Sequence, residues 1–339
     1  MIIVDCYGRP VRGLRISVNP SYRCNFRCIF CHMEGVVESG SEVMMNPEEI
    51  EKIVKILLKY NIRKVKLTGG EPMLRRDILE IVERLGRLDL EDLSMTTNGT
   101  RLISMAKKLK MAGLRRVNIS LHSVSSEKYC WITGTTKSGD GRTRYDYTID
   151  AIRAAVDAGL NPVKLNVVVM KNVNQDELER LIEFASIFEG KVILQLIELI
   201  EEGASDKEFF NRYYYDLREV EERLECMAVK IVTRSLHMRR QYLLPNGVWV
   251  EVVRPNSNYQ FCMHDDRIRI THDGKFKPCL MRDDNLVDFL TYLRAGASEE
   301  ELEKLFLKAI KLREPYYRPP TLKPSEDISI IQEASYKKR

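Results

Sequence analysis

The chain runs to 339 residues, 44% of them hydrophobic and 30% charged, with a formal net charge of +5. That is more than one compact domain usually holds and apolar enough for a real core, so a large domain with a smaller appendage is expected. No apolar run is long enough to span a bilayer, the opening MIIVDCYGRP lacks a signal peptide's greasy stretch, and the charge is too mild and dispersed for nucleic acid, even at the basic tail, 336–339.

From Leu14 to about Glu198, β-branched runs alternate with helical patterns. Strands are expected over 14–18, 64–68, 93–97, 117–121, 163–170 and 192–198, and helices over 47–60, 77–85, 102–111, 149–158 and 175–188. Asn46 reads as an N-cap with Pro47 behind it, and Gly113, Gly159 and Gly190 as helix ends. The segment 134–144, rich in Gly, Thr and charge, reads as an exposed loop. Six βα units in succession imply a parallel α/β sheet with right-handed crossovers, doubly wound or barrel-like. The strand-end motifs favour an incomplete (βα)6 TIM-type barrel over 1–200, with its chemistry at the C-terminal ends of the strands. Beyond Glu201 the rhythm changes. A helix over 209–226, a meander over 229–253, a hairpin around Asp273-Gly274, helices over 284–295 and 298–313 and an extended arm past Pro319 are expected. Together these make a smaller α+β domain, 201–339, closing the barrel's open side.

Eight cysteines in such a chain do not suggest a disulfide framework. Three fall within Cys24-Asn25-Phe26-Arg27-Cys28-Ile29-Phe30-Cys31, spaced C-x3-C-x2-C. Three soft thiolates can ligate three irons of a 4Fe–4S cube and leave the fourth iron open to a ligand. The alternative, a closed zinc site, wants a fourth ligand, and His32 would have to fold back past Cys31 to supply it. Cys262 and Cys279 sit among charged residues, whereas Cys6, Cys130 and Cys226 read as small buried hydrophobes. Thr68-Gly69-Gly70-Glu71-Pro72 ends the second strand, Thr96-Thr97-Asn98-Gly99 the third and Asn118-Ile119-Ser120-Leu121-His122 the fourth. Glycines there would let a ligand approach the backbone.

The cysteine octapeptide, at the end of the first predicted strand, resembles the signature of the radical S-adenosylmethionine (SAM) superfamily, and the strand-end motifs follow at suitable intervals. The resemblance implies a 4Fe–4S cluster on Cys24, Cys28 and Cys31, SAM chelated at its open iron, and a 5′-deoxyadenosyl radical that takes hydrogen from a substrate. It sets Phe30 against the adenine, Gly70 near the SAM amino group, and Ser120 and the backbone near Ile200 beside SAM.

From Val4 to about Tyr317 a closer match emerges. Tyr7-Gly8-Arg9-Pro10, the 14–18 strand, LTGGEPMLRR over 67–76 and the block from Phe261 to Leu280 resemble the GTP 3′,8-cyclase family. That family joins ribose C3′ to guanine C8 in the first step of molybdenum cofactor synthesis. The resemblance implies GTP contacts at Arg15, Lys66, Thr97, Lys164, Arg267 and Arg269, the cations suiting a triphosphate. It also implies a second cluster on Cys262, Asp265 and Cys279, and names no side chain as a general acid or base. Asp265 replaces a family cysteine, Gln195 a family arginine, and Tyr336-Lys337-Lys338-Arg339 a family Gly-Gly end; two residues are also inserted before Cys24. These departures fall mostly on the substrate half. A GTP cyclase is therefore expected, with two rivals: a radical SAM enzyme for another nucleotide or a peptide, its second cluster altered or absent, and a non-catalytic SAM or nucleotide sensor. The intact cysteine triad argues against the sensor, since binding alone needs no redox cluster. The cytoplasm is the expected location, a homodimer is an allowed assembly, and no electron donor is legible.

Overall fold

The computed structural model describes residues 1–35, 42–202 and 205–332. The basic tail over 336–339 lies outside them.

The strands are β1 (Ile2–Val4), β2 (Pro10–Val11), β3 (Gly13–Asn19), β4 (Lys64–Gly69), β5 (Asp92–Thr97), β6 (Arg116–Ser120), β7 (Val163–Val169), β8 (Val192–Glu198), β9 (Lys230–Thr233), β10 (Arg240–Leu243), β11 (Trp249–Val253), β12 (Arg267–Ile270), β13 (Lys275–Lys277), β14 (Val287–Asp288) and β15 (Ser329–Ile331). Helices α1 (Pro47–Leu58), α2 (Ile78–Gly86), α3 (Leu102–Met111), α4 (Ser126–Thr133), α5 (Arg144–Asp157) and α6 (Leu178–Ser186) intervene between β3 and β8. Later come α7 (Lys207–Tyr213), α8 (Arg218–Met227), α9 (Tyr259–Met263), α10 (Leu290–Arg294) and α11 (Glu299–Lys311). Helix α1 shows why such segments fold locally. The Asn46 side chain accepts from Glu49 N at 2.8 Å, the Glu49 carboxylate accepts from Asn46 N, and Ile50, Ile53, Val54 and Leu57 make one buried stripe.

Strands β3 to β8 pair in parallel in chain order, as the expected partial barrel requires. Two strands from the later segment extend the same sheet. β11 lies parallel to β8 and β12 parallel to β3, and antiparallel β10-β9 and β13-β14 continue outward from them. The part after residue 201 thus embraces the barrel from both edges of one 12-stranded sheet.

Along these strands the two faces differ. Ile16, Leu67, Met95, Val117, Ile119, Leu165 and Leu194 are fully buried in one core with the stripes of α1 to α6. Their neighbours Arg15, Lys66, Ser94, Asn118, Lys164 and Gln195 line a cavity of about 850 Å³ on the inner face. Parallel strands normally read as unbroken apolar runs because both faces are packed. Here the inner face holds polar groups and space, at the upper end for a small-molecule site and sufficient for a cofactor beside a substrate.

Four expectations change. The helix over 209–226 is two, α7 and α8, because Asp216 Oδ1 accepts from Arg218 N in a local turn that competes with helix. The helix over 284–295 is replaced by β14 and a short α10, since Val287 pairs with Phe276 and Phe289 packs edge-on to Phe276. Helix α5 starts earlier than expected, at a capping box of Thr143 with Asp146. Cys226 is exposed rather than buried. Within the described residues the arm past Pro319 includes β15, which pairs antiparallel with β1 and sets Ile331 opposite Ile2. No described helix is long and apolar enough to cross a membrane.

Candidate active site

The connection from β3 to α1 carries Cys24, Cys28 and Cys31, and all three line the cavity. Arg27 N and Ile29 N donate to Thr133 O and Ile132 O at the end of α4, and Glu71 N donates to Arg23 O at 3.0 Å. Glycines make this clamp possible. A Cβ at Gly70 would meet Arg23 O and Pro20 O at 2.5 Å, and one at Gly134 (φ +60°) would meet Arg27 O at 2.4 Å. The space at Gly70 is therefore taken by the cysteine loop itself. The residue itself still lines the cavity.

Burial lifts the Cys24 thiol to about 11, and lifts Cys28 and Cys31 as well; for Cys28 the charges of Cys31 and Cys24 add to it. Thiols that resist ionisation through burial and mutual repulsion are satisfied by a cation bound among them. Among the described residues, no three His, Cys, Asp or Glu side chains close tightly enough to share a single ion. A four-iron cube takes three thiolates on separate irons, whereas a closed zinc site needs a fourth ligand and the adjacent His32 Nδ1 accepts from Glu34 N at 3.0 Å, so the donor set fits a cluster better than zinc.

Around this loop, Phe30 packs edge-on to His122 at 4.6 Å between ring centres, and Gly70, Ser120 and Ile200 line the same cavity. Buried Glu71 joins two strand ends, accepting from Thr97 Oγ1 at 2.6 Å, Asn98 N at 2.7 Å and Met73 N at 2.9 Å. Thr97 thus gives its hydroxyl to Glu71, apart from the cations with which the sequence grouped it.

Three of those cations, Arg269, Arg15 and Lys66, fall in one row. Arg269, Arg15, Lys66, Ser94 and Arg116 are register partners on β12, β3, β4, β5 and β6, and all line the cavity. Like charges on adjacent strands, about 4.8 Å apart, destabilise a sheet unless something offsets them. Glu34 partly does so at one end. Its Oε1 accepts from Arg15 Nη2 at 3.0 Å and Thr68 Oγ1 at 2.8 Å, with Arg269 Nη1 3.6 Å from Oε2. Asp92 accepts from Arg116 Nε at 2.8 Å at the other end. Lys66, in the middle, donates to Asn118 Oδ1 at 3.0 Å, and no carboxylate pairs with it among the described residues. Enclosure first, then Arg116, Arg15, Lys164 and Arg267, push its pKa well below the lysine range.

Lys164 stands further round the wall, its Nζ donating to buried Glu251 Oε2 at 2.6 Å. Glu251 also gathers Arg234, Arg239 and Gln241. Sequence reasoning missed Arg116, Arg234, Arg239, Glu34 and Glu251. A lone acid in the apolar run Trp249-Val250-Glu251-Val252-Val253 was the one available signal.

Cys262, Asp265 and Cys279 line the same cavity. Burial raises both thiols, and the charge of Asp265 raises them further. Asp265 Oδ1 meets His237 Nε2 at 3.0 Å, and His237 stacks on Phe261. Burial opposes ionisation of Asp265, but His237, Arg267 and Arg313 hold its carboxyl well below the usual range. Burial also lowers His237, to about 3, so its imidazole is neutral, and its Nε2 lies 3.0 Å from both Asp265 Oδ1 and Arg267 Nη2. Two thiols and a carboxylate anion in mutual electrostatic reach again suit a cationic group.

Residues 18–185 match the Radical SAM superfamily, and residues 192–319 match Molybdenum Cofactor Synthesis C. A probable GTP 3′,8-cyclase of Thermococcus kodakarensis is 47% identical, over 94% of this chain and 100% of its own. Another, of Pyrococcus horikoshii, is 46% identical over 93% and 98%. Among solved structures, Streptococcus suis SuiB bound to precursor peptide SuiA gives a TM-score of 0.60 over 91% of this chain and 66% of that one; at 16% identity the likeness is one of fold.

Proposed function

The chain belongs to the GTP 3′,8-cyclase family, and from that premise we propose that its cavity converts GTP to (8S)-3′,8-cyclo-7,8-dihydroguanosine 5′-triphosphate. It is a radical SAM enzyme, and its cofactors are SAM and 4Fe–4S chemistry. When bound, cluster and SAM together supply the radical that abstracts hydrogen from the substrate.

The residues divide the remaining work. Cys24, Cys28 and Cys31 would hold the first cluster, and Phe30, Gly70, Ser120 and Ile200 would flank SAM. Arg15, Lys66, Arg267 and Arg269 would orient the nucleotide by its charge, with Lys164 behind them. Cys262, Asp265 and Cys279 would hold a second cluster beside the base. The enclosing walls exclude water and strengthen each of these electrostatic contacts. The reading rests above all on Lys66, a cation set among cations and without a carboxylate partner among the described residues. A triphosphate supplies what that row lacks.

Anaerobic incubation with SAM, reductant and GTP tests the proposal. One hydrogen atom leaves C3′ and one electron and one proton return, so the product is an isomer of GTP. It is identified by chromatography and fragmentation, with 5′-deoxyadenosine formed alongside. Unchanged GTP with 5′-deoxyadenosine formation would point to another substrate. The absence of 5′-deoxyadenosine would overturn the catalytic reading altogether.

A further inference from the structure

We infer that Arg234 and Arg239, flanking the short turn between β9 and β10, are further phosphate-binding residues, and that Glu251 is the positioning residue that aims them. The inference deepens the reading of the cavity as a GTP site and rests on it.

Glu251 and Gln195 are register partners on the parallel strands β11 and β8. Glu251 is fully buried. Its Oε2 accepts from Lys164 Nζ at 2.6 Å, Gln241 Nε2 at 2.6 Å and Arg234 Nη1 at 2.9 Å, and its Oε1 lies 2.7 Å from Arg239 Nη1. Oε2 thus takes three donors, whereas Oε1 has the Arg239 ion pair and no hydrogen-bond partner of good geometry among the described residues. Three cations face one anion, and an excess of buried positive charge is costly unless another anion joins it.

Both arginines line the cavity that Lys66 and Lys164 also line. Each guanidinium carries five donors, and each uses only one terminal nitrogen on Glu251. Arg239 Nε adds a long contact of 3.5 Å to Leu236 O. What remains is a pair of forks fixed in direction by a buried carboxylate, the geometry that matches phosphate oxygens. Burial comes first in lowering Arg239 to about 10; Glu251 opposes it, and Arg234 and Arg267 add to it. Between the two sets, Gln195 contributes a neutral amide 3.5 Å from Lys164 Nζ. The charge that β8 does not carry comes instead from the β9–β10 hairpin.

The test is equilibrium binding of GTP and of guanosine to the anaerobic holoenzyme, with SAM binding as the check on folding. Arg239→Ala is expected to weaken GTP binding about ten- to a hundredfold, as for loss of a charge-assisted hydrogen bond, and to leave guanosine binding unchanged. Glu251→Gln should erode the same GTP-over-guanosine preference without removing either guanidinium. A merely structural role would move both ligands together, and that outcome overturns the inference. So does wild-type GTP affinity in both Arg234→Ala and Arg239→Ala. If Arg239→Ala fails to bind SAM, Arg234→Ala, whose side chain is 33% exposed, carries the test with the same two outcomes. Failure of the wild type to bind GTP is a different result and removes the underlying reading.

Discussion

Cys28 is raised by burial and by the charges of Cys31 and Cys24. It therefore depends on a bound cation to become a thiolate. Cys28→Ala should lose cluster iron and abolish 5′-deoxyadenosine formation with the fold largely kept; retention of SAM cleavage would refute the assignment of the triad. Lys66→Ala should weaken GTP binding by on the order of 1.5–3 kcal/mol and leave SAM binding alone, as calorimetry can check. The same experiment has a pH signature. Lys66 and Lys164 both lie below the ordinary value of 10.5, enclosure being the first cause in each case. A bound anion favours their charged forms and raises both pKa values. GTP binding should therefore take up protons on the alkaline side, and affinity should fall as pH climbs through the depressed lysine values. Calorimetry in buffers of differing ionisation enthalpy measures this, and proton release would contradict it. The cysteine triad was legible because its members share one loop. Glu251 was not, since its partner Lys164 lies 87 residues away and only the sheet brings them together.

At the level of elements, the cysteine loop is held by the backbone on either side of it. Gly70→Ala must push a Cβ against two carbonyl oxygens at 2.5 Å. The expected loss is about 1–3 kcal/mol in anaerobic urea unfolding, with lower iron occupancy, because the clash falls on the loop that presents the thiols. Full iron content and undiminished stability would show that the loop yields freely. The strands from β3 to β8 were readable because each is a short β-branched run ended by a polar motif. Segment 284–295 was misread because its apolar spacing suits a helix, while Phe276 and Gly274 offer pairing that no local signal records. The later segment was expected as a cap, and its division between the two sheet edges depends on pairing partners far away in sequence.

For the whole molecule, the number of clusters is the measurable quantity. With Asp265 completing a second site, reconstituted protein should hold about eight irons, falling towards four in Cys262→Ala; a wild-type count near four, unchanged by that substitution, would eliminate the second cluster. Asp265→Cys should keep or raise the count, since a thiolate is the softer ligand. The surroundings of that second site come from both ends of the described chain. Asp5 accepts from Arg9 Nε and from buried Arg313 Nη1, each at 2.8 Å, while Arg313 Nη2 donates to Asp265 O and Arg9 Nη1 to Cys262 O. Beside them β1 pairs with β15, more than 300 residues away in sequence. During synthesis the barrel strands from β3 to β8 emerge in pairing order and can close on one another as they appear. β1 precedes them all in the chain, and its partner β15 follows them all. The first cysteine loop can thus take its place early, whereas the contacts that fix Asp5, Arg313 and Asp265 to one another close only once Arg313 has been made, so the two cysteine groups acquire their surroundings at different times.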